Sequence, residues 1–256
     1  MPGPERAPRA QRLAIGAPAV MAAAEALTLL STGTLELLGL MPGASNYTFL
    51  ARVRDGDRVA HAVYKPRDGE APLWDFPDGT LCNREVAAFV LSRALGWPGV
   101  PPTVLRDGPH GEGALQLFVH ADFEEHYFTL RADHRAKFAP VALFDVIANN
   151  ADRKGGHCLL ADDRSIWVID HGVCFAVEPK LRTVIWDFAG EPVPAPLLDD
   201  VRRVAGRLRS GPLRTEMAAL LSAPEVDAAA ARAERLAEAG CFPQPVGRRP
   251  FPWPPV

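Results

Sequence analysis

The sequence has few cysteines, and they form no metal or redox motif. The four are Cys82, Cys158, Cys174 and Cys241, with no Cys-x-x-Cys pair among them. The chain has 256 residues, 48% of them hydrophobic, so it can build a core without disulfide staples. We therefore expect free thiols in a reducing cytoplasm.

The sequence also lacks a charge bias and a long apolar run. Lys plus Arg is 28 against 31 Asp plus Glu, so no basic excess predicts nucleic acid or an anionic membrane as a partner. No apolar run approaches the roughly 20 residues of a membrane-spanning helix, and no amphipathic anchor is evident. Residues 13–24 are mostly Ala, Gly and Pro, which argues against a signal peptide. We expect a cytoplasmic protein with no nucleic-acid partner and no stable membrane anchor.

Turn signals and periodicity divide the chain into a β-rich part and a mostly helical part. Strands are predicted at 34–40, 47–54, 58–65, 102–106 and 113–119, with a helix from Asn83 to Gly96 among them. Helices are predicted at 22–30, 138–148, 197–221 and 224–239, and short strands at 158–161 and 166–170. The Pro-rich residues 242–256 predict an extended tail.

These elements predict an α+β fold of two lobes. The expected boundaries are an N-terminal tail and short helix at 1–32, a β-rich lobe at 33–120, a mostly helical lobe at 121–240 and a Pro-rich tail at 241–256.

Two aspartates lie where a short hairpin would bring them together. Asp152 is in a polar loop after an apolar helix, and Asp170 ends an apolar strand. Such a pair suits phosphoryl transfer, in which one carboxylate orients the acceptor hydroxyl and another holds Mg²⁺ against the phosphates. Taken singly, each is more typical of a turn or a strand end, since Asp is common there.

Upstream residues favour the catalytic interpretation. Lys65 ends an apolar strand, and Glu85 follows 20 residues later at the start of a helix. An inward-facing lysine needs a carboxylate partner, and protein kinases use such a pair to hold ATP phosphates. Gly43, Ser45 and Asn46 form a turn whose backbone N–H groups would approach a phosphate, although an ordinary hairpin has the same composition.

In this order, the motifs resemble the phosphatidylinositol 3-/4-kinase-like superfamily of atypical kinases. The resemblance spans residues 35–187 and is closest to the type II phosphatidylinositol 4-kinase branch and its uncharacterised bacterial relatives. The matching pieces are Ala62-Val63-Tyr64-Lys65-Pro66, Arg84-Glu85, Gln116-Leu117-Phe118-Val119, Asn150-Ala151-Asp152-Arg153 and Ile169-Asp170-His171-Gly172.

The resemblance implies a two-lobed kinase-like fold that binds ATP and Mg²⁺. It places Lys65 on the phosphates, held by Glu85, and backbone groups near Phe118 and Val119 on adenine. It makes Asp152 the catalytic base and Asp170 the metal ligand. The partners are then ATP and an unidentified hydroxyl acceptor, which is a small molecule, a lipid headgroup or a protein.

One position departs from the kinase pattern. Kinases place a metal-binding Asn five residues after the catalytic Asp, and here that residue is His157. Imidazole suits the hard Mg²⁺ ion poorly, so His157 predicts a single metal site, tolerance of Mn²⁺ or impaired catalysis. A nucleotide-binding pseudokinase and an AMP-transferring enzyme are therefore the alternatives. The spacing of the His and Cys residues around it does not match a structural zinc site.

Overall fold

A five-stranded antiparallel sheet forms the first lobe of the computed structural model, which describes residues 21–42, 46–247 and 249–256. The sheet order is β1-β2-β3-β5-β4, and the strands are β1 (Thr34–Leu40), β2 (Phe49–Asp55), β3 (Arg58–Pro66), β4 (Thr103–Gly108) and β5 (Gly111–Leu117). The five predicted strands are confirmed, with ends displaced by a few residues.

Period-two alternation in β3 gives the sheet two different faces. Ala60, Ala62 and Tyr64 are buried, whereas Val63 and Lys65 point to the opposite, partly exposed face. Helix α1 (Ala23–Thr32) covers the buried face, where its leucines pack against the sheet residues. The face that carries Lys65 is thereby left free for the cleft.

Helix α2 (Leu81–Leu95) lies between β3 and β4 in sequence and connects the two lobes. It begins two residues before the predicted start at Asn83, because the Glu70 side chain accepts the first N–H groups, from Leu81 and Cys82. It ends at Gly96 in the left-handed conformation, with φ 91°, as its glycine stop signal predicts.

The second lobe is mostly helical. It contains α3 (Tyr127–Leu130), α4 (Arg135–Ala148), the paired strands β6 (Cys158–Leu160) and β7 (Ile166–Val168), then α5 (Ala195–Arg209), α6 (Pro212–Ala218) and α7 (Ala223–Ala239). Its core is continuous with the buried face of α2. The short helix α3 was not predicted.

The predicted single helix at 197–221 is wrong. The chain breaks between α5 and α6 at Gly211, whose φ is 90°, and Pro212 starts the next helix. Proline lacks the N–H that would continue the α5 ladder, and it is well suited to a first helical turn. The Gly-Pro pair was the available signal.

The described residues of 242–256 contain neither helix nor strand. The segment is nevertheless bound to the helical lobe. Phe242 stacks on Phe188 with ring centroids 5.1 Å apart, and the Phe242 carbonyl accepts the Gly190 N–H at 3.0 Å.

Within the described ranges, no helix combines the length and the apolar character needed to cross a bilayer. The sequence interpretation of residues 1–20 falls outside the described ranges.

Candidate active site

A cavity of about 650 Å³ opens between the sheet and the helical lobe. Its walls come from β3, β5, α2, the loop after α4 and the residues after β7. The predicted site residues in its lining are Asn46, Lys65, Glu85, Phe118, Val119, Asp152, His157 and Asp170. Gly43 and Ser45 lie outside the described residues.

Lys65 forms ion pairs with two carboxylates in this cavity. Its Nζ donates to Glu85 Oε1 and lies 3.0 Å from Asp170 Oδ1. Burial disfavours the charge on Lys65, but the carboxylates of Asp170 and Glu85 outweigh that effect and raise its pKa. Lys65 is therefore a fixed cation in a largely buried position, with 23% of its side chain exposed.

Asp170 reaches the cavity through an unusual backbone conformation. Its φ is 62°, a left-handed value that Asp tolerates better than most residues. Strained backbone of this kind is concentrated at functional sites. The Lys65 charge, with His157 nearby, lowers the pKa of Asp170, so its carboxylate is ionised and can hold a cation.

Asp152 lines the same cavity, in the loop that begins where α4 ends. Asn149, with φ 51°, terminates α4, and the Asn150 side chain accepts the Asp152 N–H at 2.9 Å. The Asp152 carboxylate is 3.2 Å from Lys154 Nζ. Burial and the Asp170 charge raise its pKa against the opposing effect of Lys154. A carboxylate with a raised pKa is better able to accept a proton.

A buried ion pair supports this loop from beneath. Arg153 and Asp145 are both fully buried, and Arg153 Nη2 lies 3.1 Å from Asp145 Oδ1. Arg153 also donates to the Ile169 carbonyl at 2.8 Å and contacts His171 Nε2 at 2.7 Å. The Arg153 side chain is therefore engaged in a structural ion pair.

His171 links this network to Glu85, one of the two carboxylate partners of Lys65. Its backbone N–H donates to Glu85 Oε2 at 3.0 Å, and burial lowers its pKa well below the ordinary value, so the ring is neutral. Sequence reasoning did not assign roles to Asp145 or His171. The signal for Asp145 was a lone acid within the apolar run from Phe138 to Ala148.

His157 lies beside Asp170, with Nε2 3.2 Å from Asp170 Oδ2. Burial lowers the pKa of His157 to about 4, so the ring is neutral near pH 7. Its Nδ1 faces the Lys154 N–H at 3.4 Å, which favours the tautomer with the proton on Nε2. In that tautomer His157 donates to Asp170 and helps orient it.

The expected nucleotide-contacting segments lie on the sheet side of the cavity. The Phe118 N–H donates to the His61 carbonyl at 2.9 Å, which fixes this segment against β3. Asn46 contacts the loop that follows β3, because its Oδ1 accepts the Ala71 N–H at 2.8 Å.

The donor set around Asp170 fits a hard cation shared with phosphate oxygens. Magnesium usually binds one or two protein carboxylates together with substrate phosphates and water, and Asp170 and Asp152 are close enough for each charge to affect the other. Across the described ranges, no cluster of three or more His, Cys, Asp or Glu side chains suits a metal held by protein alone.

Comparison with known proteins gives the chain a family. No family model matches it. It is 41% identical over 261 residues to Protein Rv2133c of Mycobacterium tuberculosis (strain ATCC 25618 / H37Rv), an alignment that covers 88% of this chain and 94% of that protein. The chain belongs to the Protein Rv2133c family.

Two further similarities relate this member of the Rv2133c family to kinases. It is 33% identical over 161 residues to Phosphatidylinositol 4-kinase gamma 4 of Oryza sativa subsp. japonica, covering 49% of this chain and 28% of the plant protein. The fold matches the Helicobacter pylori proinflammatory kinase CtkA with a TM-score of 0.50 at 10% identity, over 83% of this chain and 94% of that one.

These similarities support a kinase-like family, and the predicted α+β two-lobed kinase-like fold is confirmed. At 10% identity, CtkA provides evidence about the fold alone.

Proposed function

We propose that this Rv2133c-family protein is an ATP-dependent phosphotransferase that transfers the γ-phosphoryl group of ATP to a hydroxyl-bearing acceptor. The observation that carries the proposal is the contact of Lys65 with both Glu85 and Asp170, in the cavity that Asp152 also lines. A fixed cation, a metal-binding carboxylate and a carboxylate base are the groups that phosphoryl transfer requires.

In the proposed mechanism, Lys65 binds phosphate oxygens while Glu85 holds its ammonium group. Asp170 would hold the metal. His157 would either bind it through Nε2, in the tautomer with the proton on Nδ1, or orient Asp170 in the tautomer that its contacts favour. Mg²⁺ or Mn²⁺ would neutralise charge on the transferring phosphoryl group. Asn46, together with the Gly43 and Ser45 backbone, would cover the phosphates, while the Phe118 and Val119 backbone would contact adenine.

Asp152 orients the acceptor hydroxyl and accepts its proton as the oxygen–phosphorus bond forms and the bond to ADP breaks. The raised pKa of Asp152 supports this role, because a stronger base takes the proton more readily. Cavity-lining Lys154, 3.2 Å from Asp152, is placed to limit that rise and keep the carboxylate ionised.

The proposal also covers the class of acceptor and the branch of the kinase superfamily to which the protein is related. The name of the plant relative supports a lipid headgroup and the type II phosphatidylinositol 4-kinase branch, although the chain spans only 28% of that relative. A small molecule and a protein are the other acceptor classes. We further propose that the protein acts in the cytoplasm.

The direct test supplies ATP labelled on the γ- or the α-phosphate, with Mg²⁺ or Mn²⁺, to the full chain. Asp152→Asn and Asp170→Asn are the test variants. Asp162→Asn is the matched control, since Asp162 is exposed in the turn between β6 and β7 and does not line the cavity. Nucleotide products and label on protein, phosphatidylinositol vesicles and small polyols are recorded.

We expect release or transfer of γ-phosphate by the full chain and the control, with losses of at least about 100-fold in both test variants. Covalent α-label would instead establish AMP transfer. Tight ATP binding without turnover under either metal would establish the pseudokinase. Absence of nucleotide binding would refute all three.

A further inference from the structure

The Pro-rich residues 249–256, here called the C-terminal segment, bind both the loop that contains Asp152 and the residues that pair with that loop. The Pro250 carbonyl accepts two hydrogen bonds, from the Thr183 N–H and from the Trp186 indole Nε1, both at 3.1 Å. Nearer the segment's end, the Pro255 carbonyl accepts the Gly155 N–H at 2.8 Å. The segment therefore joins the Asp152 loop to the strand-like residues 182–184.

The composition of the segment suits this mode of binding. Proline has no N–H, so a Pro-rich chain presents carbonyl oxygens without adding donors that need partners. Proline also stiffens the chain in an extended form, which reduces the entropy lost when it binds. Pro252, between the two contact points, is buried.

Thr183 links the Pro250 contact to the buried ion pair beneath the Asp152 loop. The Thr183 hydroxyl donates to Asp145 Oδ2 at 3.2 Å, and Asp145 pairs with Arg153. The Arg153 carbonyl also accepts the Val184 N–H at 3.1 Å. Displacing residues 182–184 would therefore disturb the residue next to Asp152.

The downstream contact fits the loop closely. A methyl group at Gly155 would lie 3.1 Å from the Phe128 ring and 3.4 Å from the Pro255 carbonyl oxygen, whereas one at Gly156 would meet no atom within 4 Å. Gly155 is thus packed between α3 and the C-terminal segment. Without the segment, the Gly155 N–H would lose its acceptor.

We propose that the C-terminal segment is a positioning element that holds Asp152 in the geometry for phosphoryl transfer. None of residues 249–256 lines the cavity, so the segment acts through the loop and leaves nucleotide binding to the opposite wall. The proposal rests on the phosphotransferase function proposed above.

The test compares the full chain with a variant that ends at residue 248. We expect kcat to fall roughly 100-fold, the loss that a displacement of about 1 Å can cause. The Kd for ATP should stay within about twofold, because Lys65 and its partners are unaffected. A synthetic peptide of residues 249–256, added to the truncated chain, should restore kcat saturably, and a scrambled peptide should not.

Amide hydrogen exchange provides a readout independent of turnover. Exchange at the Gly155 and Thr183 amides should accelerate at least about tenfold on truncation and slow again with the peptide. The Gly190 amide is the internal control, because its acceptor is the Phe242 carbonyl, which the truncation retains.

A matched pair of glycine variants tests the downstream contact in the truncated chain. Gly155→Ala should raise the peptide concentration needed for half-maximal rescue, because the added methyl group, 3.1 Å from the Phe128 ring, makes the loop shift where it contacts Pro255. Gly156→Ala should leave that concentration unchanged. If truncation at 248 abolishes cooperative unfolding, a chain lacking only 254–256 takes its place. It retains the Pro250 contacts and loses the Pro255 contact, so kcat should fall and exchange should accelerate at the Gly155 amide but not at the Thr183 amide.

The outcomes separate this role from the function on which it rests. No turnover by the full chain would refute the proposed function and this role together. Turnover that truncation leaves unchanged, or loss of kcat that the peptide fails to restore while it binds, would refute the positioning role alone.

Discussion

At the residue scale, the buried pair of Arg153 and Asp145 is the structural foundation of the site. Both side chains are fully buried, and Asp145 also accepts hydrogen bonds from Asn150 and Thr183. Burial raises the pKa of Asp145 against the opposing effect of the Arg153 charge. A buried ion can be tolerated only while such partners remain.

Asp145→Ala should therefore destabilise the fold by about 3–5 kcal/mol, because it leaves the Arg153 charge buried without a partner. Asp199→Ala is the matched control, since it breaks an exposed ion pair with Arg202 at 2.9 Å and should cost at most about 0.5 kcal/mol. Urea unfolding of both variants measures the difference. Equal effects would show that the buried pair has no special structural importance.

The pKa of Asp152 gives a prediction about pH dependence. The proposed base works when ionised, so kcat/KM should rise with pH as Asp152 loses its proton. Burial raises that pKa, which places the acid limb above the ordinary range for Asp. Lys154 lowers the same pKa, so Lys154→Gln should move the acid limb to higher pH.

The pH–rate profiles of wild type and Lys154→Gln check this directly. The position of the limb is the diagnostic quantity, because loss of Lys154 also changes the rate. A limb that stays in place, or moves to lower pH, would contradict the assignment to Asp152.

At the element scale, close pairing of β3 and β5 sets the position of Lys65. Gly113 in β5 lies opposite Pro66, and a methyl group there would be 2.5 Å from the Lys65 carbonyl oxygen. The strands can approach this closely only because residue 113 has no side chain. Lys65 is thereby held at the end of β3 with its ammonium group over α2.

Gly113→Ala should destabilise the fold by roughly 1–3 kcal/mol, because backbone atoms must shift to accept the methyl group. Gly206→Ala is the matched control, since Gly206 lies in α5 with no atom within 4 Å of the added methyl. It should stabilise by about 0.5–1 kcal/mol through helix propensity. Thermal unfolding distinguishes the two, and destabilisation of equal size in both would contradict the argument from close packing.

At the scale of the whole molecule, ion pairs between side chains in the cavity connect the two lobes. Lys65 comes from the sheet, Glu85 from α2, and Asp170 from the helical lobe. A ligand that binds only the folded state stabilises it by RT ln(1 + [L]/Kd), which grows with the logarithm of the ligand concentration.

ATP with Mg²⁺ at 100 times its Kd should therefore raise the unfolding free energy by about 2.7 kcal/mol. The part of this increase that depends on Mg²⁺ should disappear in Asp170→Asn and persist in Asp162→Asn. Thermal unfolding with ATP, with and without metal, measures both parts. A metal-dependent increase of full size in Asp170→Asn would exclude Asp170 as the metal ligand.

The sequence was most informative where a local signal controls the outcome. Period-two alternation placed Val63 and Lys65 on one face of β3, and the glycine at 96 marked the end of α2. The order of Lys65, Glu85, Asp152 and Asp170 identified the residues that line one cavity. The single helix predicted across Gly211 is wrong because the local Gly-Pro pair ends one helix and starts the next.

The sequence by itself therefore determined the two-lobed class, the main elements and the set of charged residues that meet, since these depend on side-chain period, turn chemistry and motif order. Only the tertiary structure decided that Arg153 pairs with Asp145, that His157 faces Asp170, and that residues 249–256 bind the Asp152 loop. Those contacts join segments far apart in the chain. Their partners are fixed by packing and by the need to satisfy buried polar groups, which no local pattern encodes.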